Sequence, residues 1–269
     1  MPVAHLKDRA IIAVTGPEAR SFLQGLITND IERLEPGKGI YAALLTPQGK
    51  ILFDFFLVEG DGAILIDCLS VARDALLKRL SLYKLRTKVT IEPRDQLAVL
   101  AEWNGEAAKN AISYSDPRVP ELGRRAIIAL GEMRKDLLDD ASYREHRLAL
   151  GVPEGSDFGS DRMFALDADF EELHGVDFNK GCYIGQELTA RMKHRSTARK
   201  RVLPIEFAHG GAHATALVID GKEIGEIVSS YGRRGFAQVR LDRLGDAGQS
   251  VPRSGDVALK LIKPSWLFP

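Results

Sequence analysis

"GIYAALLTPQGKILFDFFLVEGDGAILIDCL", residues 39–69, holds three apolar runs separated by the turn sequences "PQG" and "EGDG". Proline and glycine at those turns supply the backbone angles that a tight reversal needs. The stretch therefore reads as a three-stranded antiparallel meander.

The flanks extend this pattern. Upstream, "RAIIAVTG" is a short strand, and Pro17 fits a helix start with Ala19, Phe22, Leu23 and Leu26 on one face. Downstream, Ser70 is placed to cap a helix through about Leu82, with Ala75, Leu76, Arg79 and Leu80 on a mixed face. "LYKLRTKVTIEP" leads into a strand ended by Pro93, and "QLAVLAEW" and "RRAIIAL" read as further strands. Between them lie a short helical pattern, "GEAAKNAI", and a proline-broken stretch, "SDPRVPELG". "SYREHRLAL" reads as a helix that stops at Gly151 before Pro153. This order predicts an α+β fold built from ferredoxin-like antiparallel units with helices on one face. Residues 151–181 lack periodicity, and a long irregular stretch inside a compact domain is usually functional or disordered.

After "RMKHRSTARKR" come "RVLPIEF", "ATALVID", "KEIGEIVSSY", "GFAQVRL" and "DVALKLI". Five short strands separated by glycines predict a small antiparallel barrel or sandwich over 199–269, with the boundary near residue 198. Residues 1–198 then form the first region, of two α+β units.

The chain has 269 residues, enough for two or three units. Its 37 basic and 37 acidic residues cancel, which argues against a protein that coats nucleic acid or anionic membrane. No apolar run is long enough to span a membrane and "MPVAHLKDRA" has no signal-like core, so a cytoplasmic setting is expected, or a mitochondrial one for a eukaryotic source. Two cysteines make neither a disulfide framework nor a zinc or four-thiolate site. "HGGAH" around His209 and His213 is not helical and has no third ligand, so no metal site is expected there.

Cys68 lies in an apolar run and reads as core. Cys182, in "KGCYIGQELTA", is different. Lys180 stands two residues before it, a helix begins near Gln186, and Gly181 and Gly185 leave the sulfur uncovered. Those features favour a thiolate; the alternative is a small residue filling a tight turn. The basic run Arg191, Lys193, His194, Arg195, Arg199, Lys200 and Arg201 either raises anion affinity beside the thiol or solvates a linker. Asn29 and Asp30 in "GLITNDI" and Asp167 in the irregular stretch fit turn chemistry. Asp54 interrupts "ILFDFFLV", and a carboxylate in a buried strand must be paired or face a polar ligand.

"VDFNKGCYIGQELTARM" resembles the signature of the YgfZ-like tetrahydrofolate-binding family of iron–sulfur assembly and repair factors, related to the T-protein (aminomethyltransferase) of glycine cleavage. "FLQGLITNDI", "LTPQGKILFDFFL", "YKLRTKVTI", "RLALGVP" and "GEIVSSYGRRGFAQVRLD" follow in the family's order, so the resemblance covers essentially the whole chain. It implies a cloverleaf of two α+β units around a folate pocket plus a C-terminal barrel. The implied cofactor is tetrahydrofolate or a one-carbon derivative, and the implied partners are iron–sulfur assembly proteins or client enzymes. Position by position, Asn29, Asp30, Asp167, Lys180, Gln186 and Glu187 would serve the pocket, Tyr143 would stack on the pterin, and Asp54 and Cys182 would act in the chemistry. Where the family commonly has Phe-Pro-x-Glu, this chain reads "FALD", so Ala165 replaces proline and Asp167 the glutamate.

The resemblance implies a folate-binding protein supporting assembly or repair of iron–sulfur enzymes, with Cys182 facing the pocket. The alternatives are a folate-dependent aminomethyltransferase, in which Asp54 orients the folate amine, and a non-catalytic folate-responsive scaffold.

Overall fold

The structure, a computed structural model, describes residues 2–103, 111–195, 199–212, 214–244 and 250–268. The meander is present: β3 (Ile40–Leu45), β4 (Ile51–Gly60) and β5 (Ala63–Leu69) pair antiparallel in sequence order. β2 (Arg9–Thr15) adds to β5, and β6 (Thr90–Pro93) adds to β2, giving the sheet order β3-β4-β5-β2-β6. Without edge strand β3 this is the split βαβ order that defines a ferredoxin-like unit.

Both faces of this sheet are covered, which explains strands that are apolar almost throughout. One face packs Ile12, Phe55, Leu57 and Ile66 against helices α1 (Ala19–Gln24) and α2 (Arg73–Lys84) through Phe22, Leu23, Leu76 and Leu80. Ser70 does not cap α2. A 3-10 turn over Ser70–Ala72 intervenes, and the helix starts at Arg73 with no side-chain cap.

The second unit repeats the order with a substitution. Its sheet runs β1 (Val3–His5), β7 (Leu97–Glu102), β9 (Arg124–Ala129), β8 (Ile112–Ser115), so the N-terminal strand takes the last position. The helical pattern "GEAAKNAI" lies outside the described residues up to residue 110, and Ile112 already opens β8. α3 (Asp140–Leu150) is capped by the Asp139 carboxylate on Ser142 N–H and ends at left-handed Gly151.

The remaining face of the first sheet packs on the second sheet and on the irregular stretch. Tyr41, Phe56, Val99, Ile127, Phe158 and Phe170 share that core. Within residues 151–181 are a short helix α4 (Gly155–Phe158) and a 3-10 turn, Ala165–Ala168. α5 (Gln186–His194) then leads to a closed barrel. The barrel has six strands: the expected five and Arg253–Ser254, whose two-residue length hides it from a pattern search. The expected boundary near residue 198 lies outside the described residues.

Candidate functional site

Where the three lobes meet, four buried arginines and four buried carboxylates alternate in one chain of contacts. Arg9 Nε donates to Asp67 at 2.6 Å, and Arg125 Nη1 donates to the same carboxylate at 2.8 Å. Arg125 Nε reaches Asp116, which also accepts from Arg118 Nη2 at 2.8 Å. Glu154 lies between Arg118 and Arg147, and Arg147 Nη1 donates to Asp157 at 2.6 Å. Asp157 finally accepts from Ser229 Oγ of the barrel, at 2.8 Å. The Arg125 guanidinium also lies 3.9 Å from the Phe56 ring centroid, a cation–π contact. These charges balance one to one, the condition under which a buried ionic cluster can persist.

Burial alone would push the Glu154 carboxyl up, but Arg147 and Arg118 reverse this and hold it down, from 4.5 to about 2. The unfolded chain therefore takes up the proton first as the pH falls. Above about pH 5 the stabilisation is complete; it is lost as the pH falls from 4.5 through 2, and amounts to about 3 kcal/mol. Urea unfolding at pH 7 and pH 3 checks this: Glu154→Gln should lower stability at pH 7 and flatten that pH dependence, and an unchanged pH slope would remove the assignment.

The expected folate ligands sort into two groups. Asn29, Lys180 and Tyr143 are saturated by the protein itself. Asn29 Nδ2 donates to the Tyr41 and His174 carbonyls, and Lys180 Nζ donates to the carbonyls of Gln24, Ile27 and Asn29 at 2.7–2.8 Å. Burial lowers the Lys180 pKa to about 8, against Asp30 and Asp177. Tyr143 is buried, with its hydroxyl accepting from Arg118 and its ring beside Trp103. In this structure the lysine in a carbonyl cage and the tyrosine in a core hold loops together. Asp30 likewise caps a short 3-10 turn and accepts from Gln24 Nε2. Glu187 is exposed and pairs with Arg191, while Gln186 opens α5.

Asp54 and Asp167 remain. Asp54 Oδ2 accepts from Tyr41 Oη at 3.0 Å and Gly155 N–H at 3.1 Å. Its Oδ1 accepts no hydrogen bond among the described residues. A Cβ on Gly155 would fall 2.0 Å from that oxygen, so the approach requires glycine. Burial raises the Asp54 pKa, with Arg9 opposing. The residue lines a cavity of about 470 Å³ with Leu52, Phe53, Leu69, Val71 and Phe158, within the size range of small-molecule sites. Asp167 is buried in the 3-10 turn, and burial raises its pKa against Lys200 and Arg201. It does not line the Asp54 cavity.

Cys182 does not face that cavity either. It is an exposed thiol on the turn before α5, and its neighbours Tyr183 and Ile184 line a separate groove with Pro47 and Tyr83. The cation expected beside it, Lys180, is committed to the carbonyl cage. Cys68 is core as expected, its thiol pushed up to about 12 by burial. In the basic run, Arg191, Lys193 and Arg201 pair with Glu187, Glu171 and Glu172, which matches a solvated, ion-paired surface. Among the described residues no group of three or more His, Cys, Asp or Glu could hold a metal. His213 lies outside them.

The ionic chain was not anticipated from sequence. Its signals are Asp67 and Arg125, charges inside the apolar runs "AILIDCL" and "RRAIIAL".

Residues 199–269 match the family described as CAF17, C-terminal beta-barrel domain. The fold is that of glycine cleavage system aminomethyltransferase T from Bartonella henselae, with a TM-score of 0.78 over 98% of this chain and 86% of that one, at 17% identity. The mitochondrial iron-sulfur cluster assembly factor IBA57 of Homo sapiens is 32% identical over 97% of this chain and 84% of its own length. The mitochondrial IBA57 homologue of Neurospora crassa is 35% identical over 81% of this chain, which spans 56% of that protein. With a T-protein-like fold and 32% identity to the human protein over 97% of this chain and 84% of that one, the chain belongs to the IBA57 iron–sulfur cluster assembly factor family.

Proposed function

We propose that this protein serves iron–sulfur cluster assembly by lending the Cys182 thiolate to a cluster whose other ligands come from a partner chain. The observation that carries this is exposure: the chain's one accessible thiol sits on the surface and does not line the Asp54 cavity. A conventional cluster takes four protein ligands, so one thiol alone cannot hold it. The partners are iron–sulfur assembly proteins or client enzymes, in the mitochondrion for a eukaryotic source and otherwise in the cytoplasm. Among the described residues no helix is long and apolar enough to cross a membrane. Rescue of a cluster-dependent enzyme in a strain lacking its own family member tests the function, and failure of the wild-type chain to restore that activity would sink it.

We also propose that a tetrahydrofolate-type pteridine occupies the Asp54 cavity. Asp54 Oδ1 is a free acceptor for the N–H groups of a pterin, and the apolar walls suit its ring. Bound folate would supply one-carbon carrying capacity; Asp54 would orient it. Gly155 permits the approach that leaves Oδ1 uncovered. Because Cys182 lies elsewhere, the pteridine regulates or stabilises the protein, and an aminomethyl transfer through this thiol is not favoured. Calorimetric titration with tetrahydrofolate should show binding that weakens at least tenfold in Asp54→Asn, whose amide presents an N–H where an acceptor is needed or leaves Tyr41 unpaired. Equal affinity in the variant would remove the cavity from consideration.

A further inference from the structure

The zero net charge of the chain is not evenly spread. Residues 75–91, running from α2 into β6, carry Lys78, Arg79, Lys84, Arg86 and Lys88 and no carboxylate. Lys84 has a structural use, since a cation in the last turn of a helix complements its dipole. The other four are exposed, and none of the five forms an ion pair among the described residues. Glu18 approaches the end of the run, but its carboxylate accepts from the Lys88 backbone N–H.

Two leucines stand among these cations, Leu82 at 61% exposure and Leu85 at 87%. Leu82 follows Lys78 and Arg79 by four and three residues, so the three share a face of α2, turned away from the buried Leu76 and Leu80. Leu85 closes the helix with a φ of +43°, a backbone angle at which glycine is the residue without strain. Leucine there strains the backbone and holds an aliphatic side chain in water, and both effects are unfavourable in the free protein.

We propose that this face of α2 rests on an anionic phospholipid bilayer, with Leu82 and Leu85 at the boundary of headgroups and acyl chains and the surrounding cations on lipid phosphates. Side-chain chemistry selects a bilayer over a macromolecule. Protein interfaces are enriched in aromatic residues and depleted in lysine at their cores. The one aromatic of this run, Tyr83, packs against the core beneath the first sheet. A nucleic acid would meet the cations with no exposed ring to stack on its bases, and the leucines would face phosphates. A bilayer takes both groups at once, because the stems of lysine and arginine lie along apolar surface while their charges reach the headgroups. Attachment would be peripheral, since among the described residues no helix is long and apolar enough to cross a membrane.

Co-sedimentation of the full chain with vesicles tests this, using phosphatidylcholine alone and phosphatidylcholine enriched in phosphatidylglycerol. The wild type should bind the anionic vesicles, bind the neutral ones at least about tenfold more weakly, and lose the difference at high salt. The triple variant Lys78→Gln, Arg79→Gln, Arg86→Gln should lower partitioning at least about tenfold. Leu85→Gly should also weaken partitioning, yet melt no lower than the wild type because glycine accepts the backbone angle. That combination separates a membrane contact from a merely structural leucine. A control carrying Lys222→Gln, Arg234→Gln and Lys260→Gln makes the same charge change at exposed barrel positions and should partition as the wild type does. Wild-type partitioning by the α2 triple or by Leu85→Gly, equal loss in the control, or release from the vesicles by soluble glycerol phosphate would each overturn the proposal. Failure of the wild type to bind anionic vesicles would overturn it too and leave an acidic protein as the occupant of this face.

Discussion

Arg125→Met is expected to lower the unfolding free energy by about 3–5 kcal/mol, because removing one member of a buried ionic cluster strands the charges that remain. Arg125 is the hinge of the chain of contacts: it is the residue that joins Asp67 of the first sheet to Asp116 of the second unit. Without it Arg9 is the one ion-pair partner left to Asp67 and Arg118 the one left to Asp116, and the central cations no longer match the central acids. The Phe56 ring also loses its closest guanidinium. For a domain of this size the melting temperature should fall by roughly 10 °C. Arg134→Met, which breaks a pair exposed on both sides, should leave the melting temperature where it is. Scanning calorimetry on both variants decides the matter: matching melting temperatures would mean that the three lobes are held by apolar packing and that the ionic chain contributes nothing net.

Cys182→Ser should abolish rescue of cluster-dependent enzyme activity while leaving the fold and the proposed folate binding intact. The side chain is exposed, so exchanging sulfur for oxygen creates no cavity and buries no polar group. Serine has the right size and lacks the soft, easily ionised donor that iron requires. The proposed folate binding is a sharp internal control because Asp54 lines a cavity that Cys182 does not. Full rescue by the serine variant would eliminate the thiolate role and leave a non-catalytic scaffold as the function. Loss of both rescue and folate binding would mean instead that the turn at Gly181–Gly185 had been disturbed.

The fold was legible in large part because its signals are local. Turn residues between apolar runs give the meander of residues 39–69, and the glycine-separated strands give the barrel. Ser70 shows the limit of such signals. A capping residue at the right spacing lost to a 3-10 turn whose Ser70 N–H donates to the Asp8 carbonyl, a long-range contact that the spacing does not contain. The site was legible by residue type but not by role. Asp54 was singled out because a carboxylate in an apolar strand needs a partner, and it has Tyr41 and Gly155 with one oxygen to spare. Lys180 and Tyr143 match a binding motif equally well on paper, yet their polar atoms are consumed by backbone carbonyls and by Arg118.

Sequence by itself therefore determined the two α+β units, the barrel and the presence of one unusual cysteine, since turn chemistry and periodicity act over a few residues. Tertiary structure alone decided that the charges at Arg9, Asp67, Asp116, Arg118, Arg125, Arg147, Glu154 and Asp157 converge into one balanced cluster, and that Cys182 is exposed and does not line the Asp54 cavity. The physical reason is that pairing a buried charge and exposing a thiol depend on which distant segments meet, and 58 positions separate Arg125 from the Asp67 carboxylate that holds it.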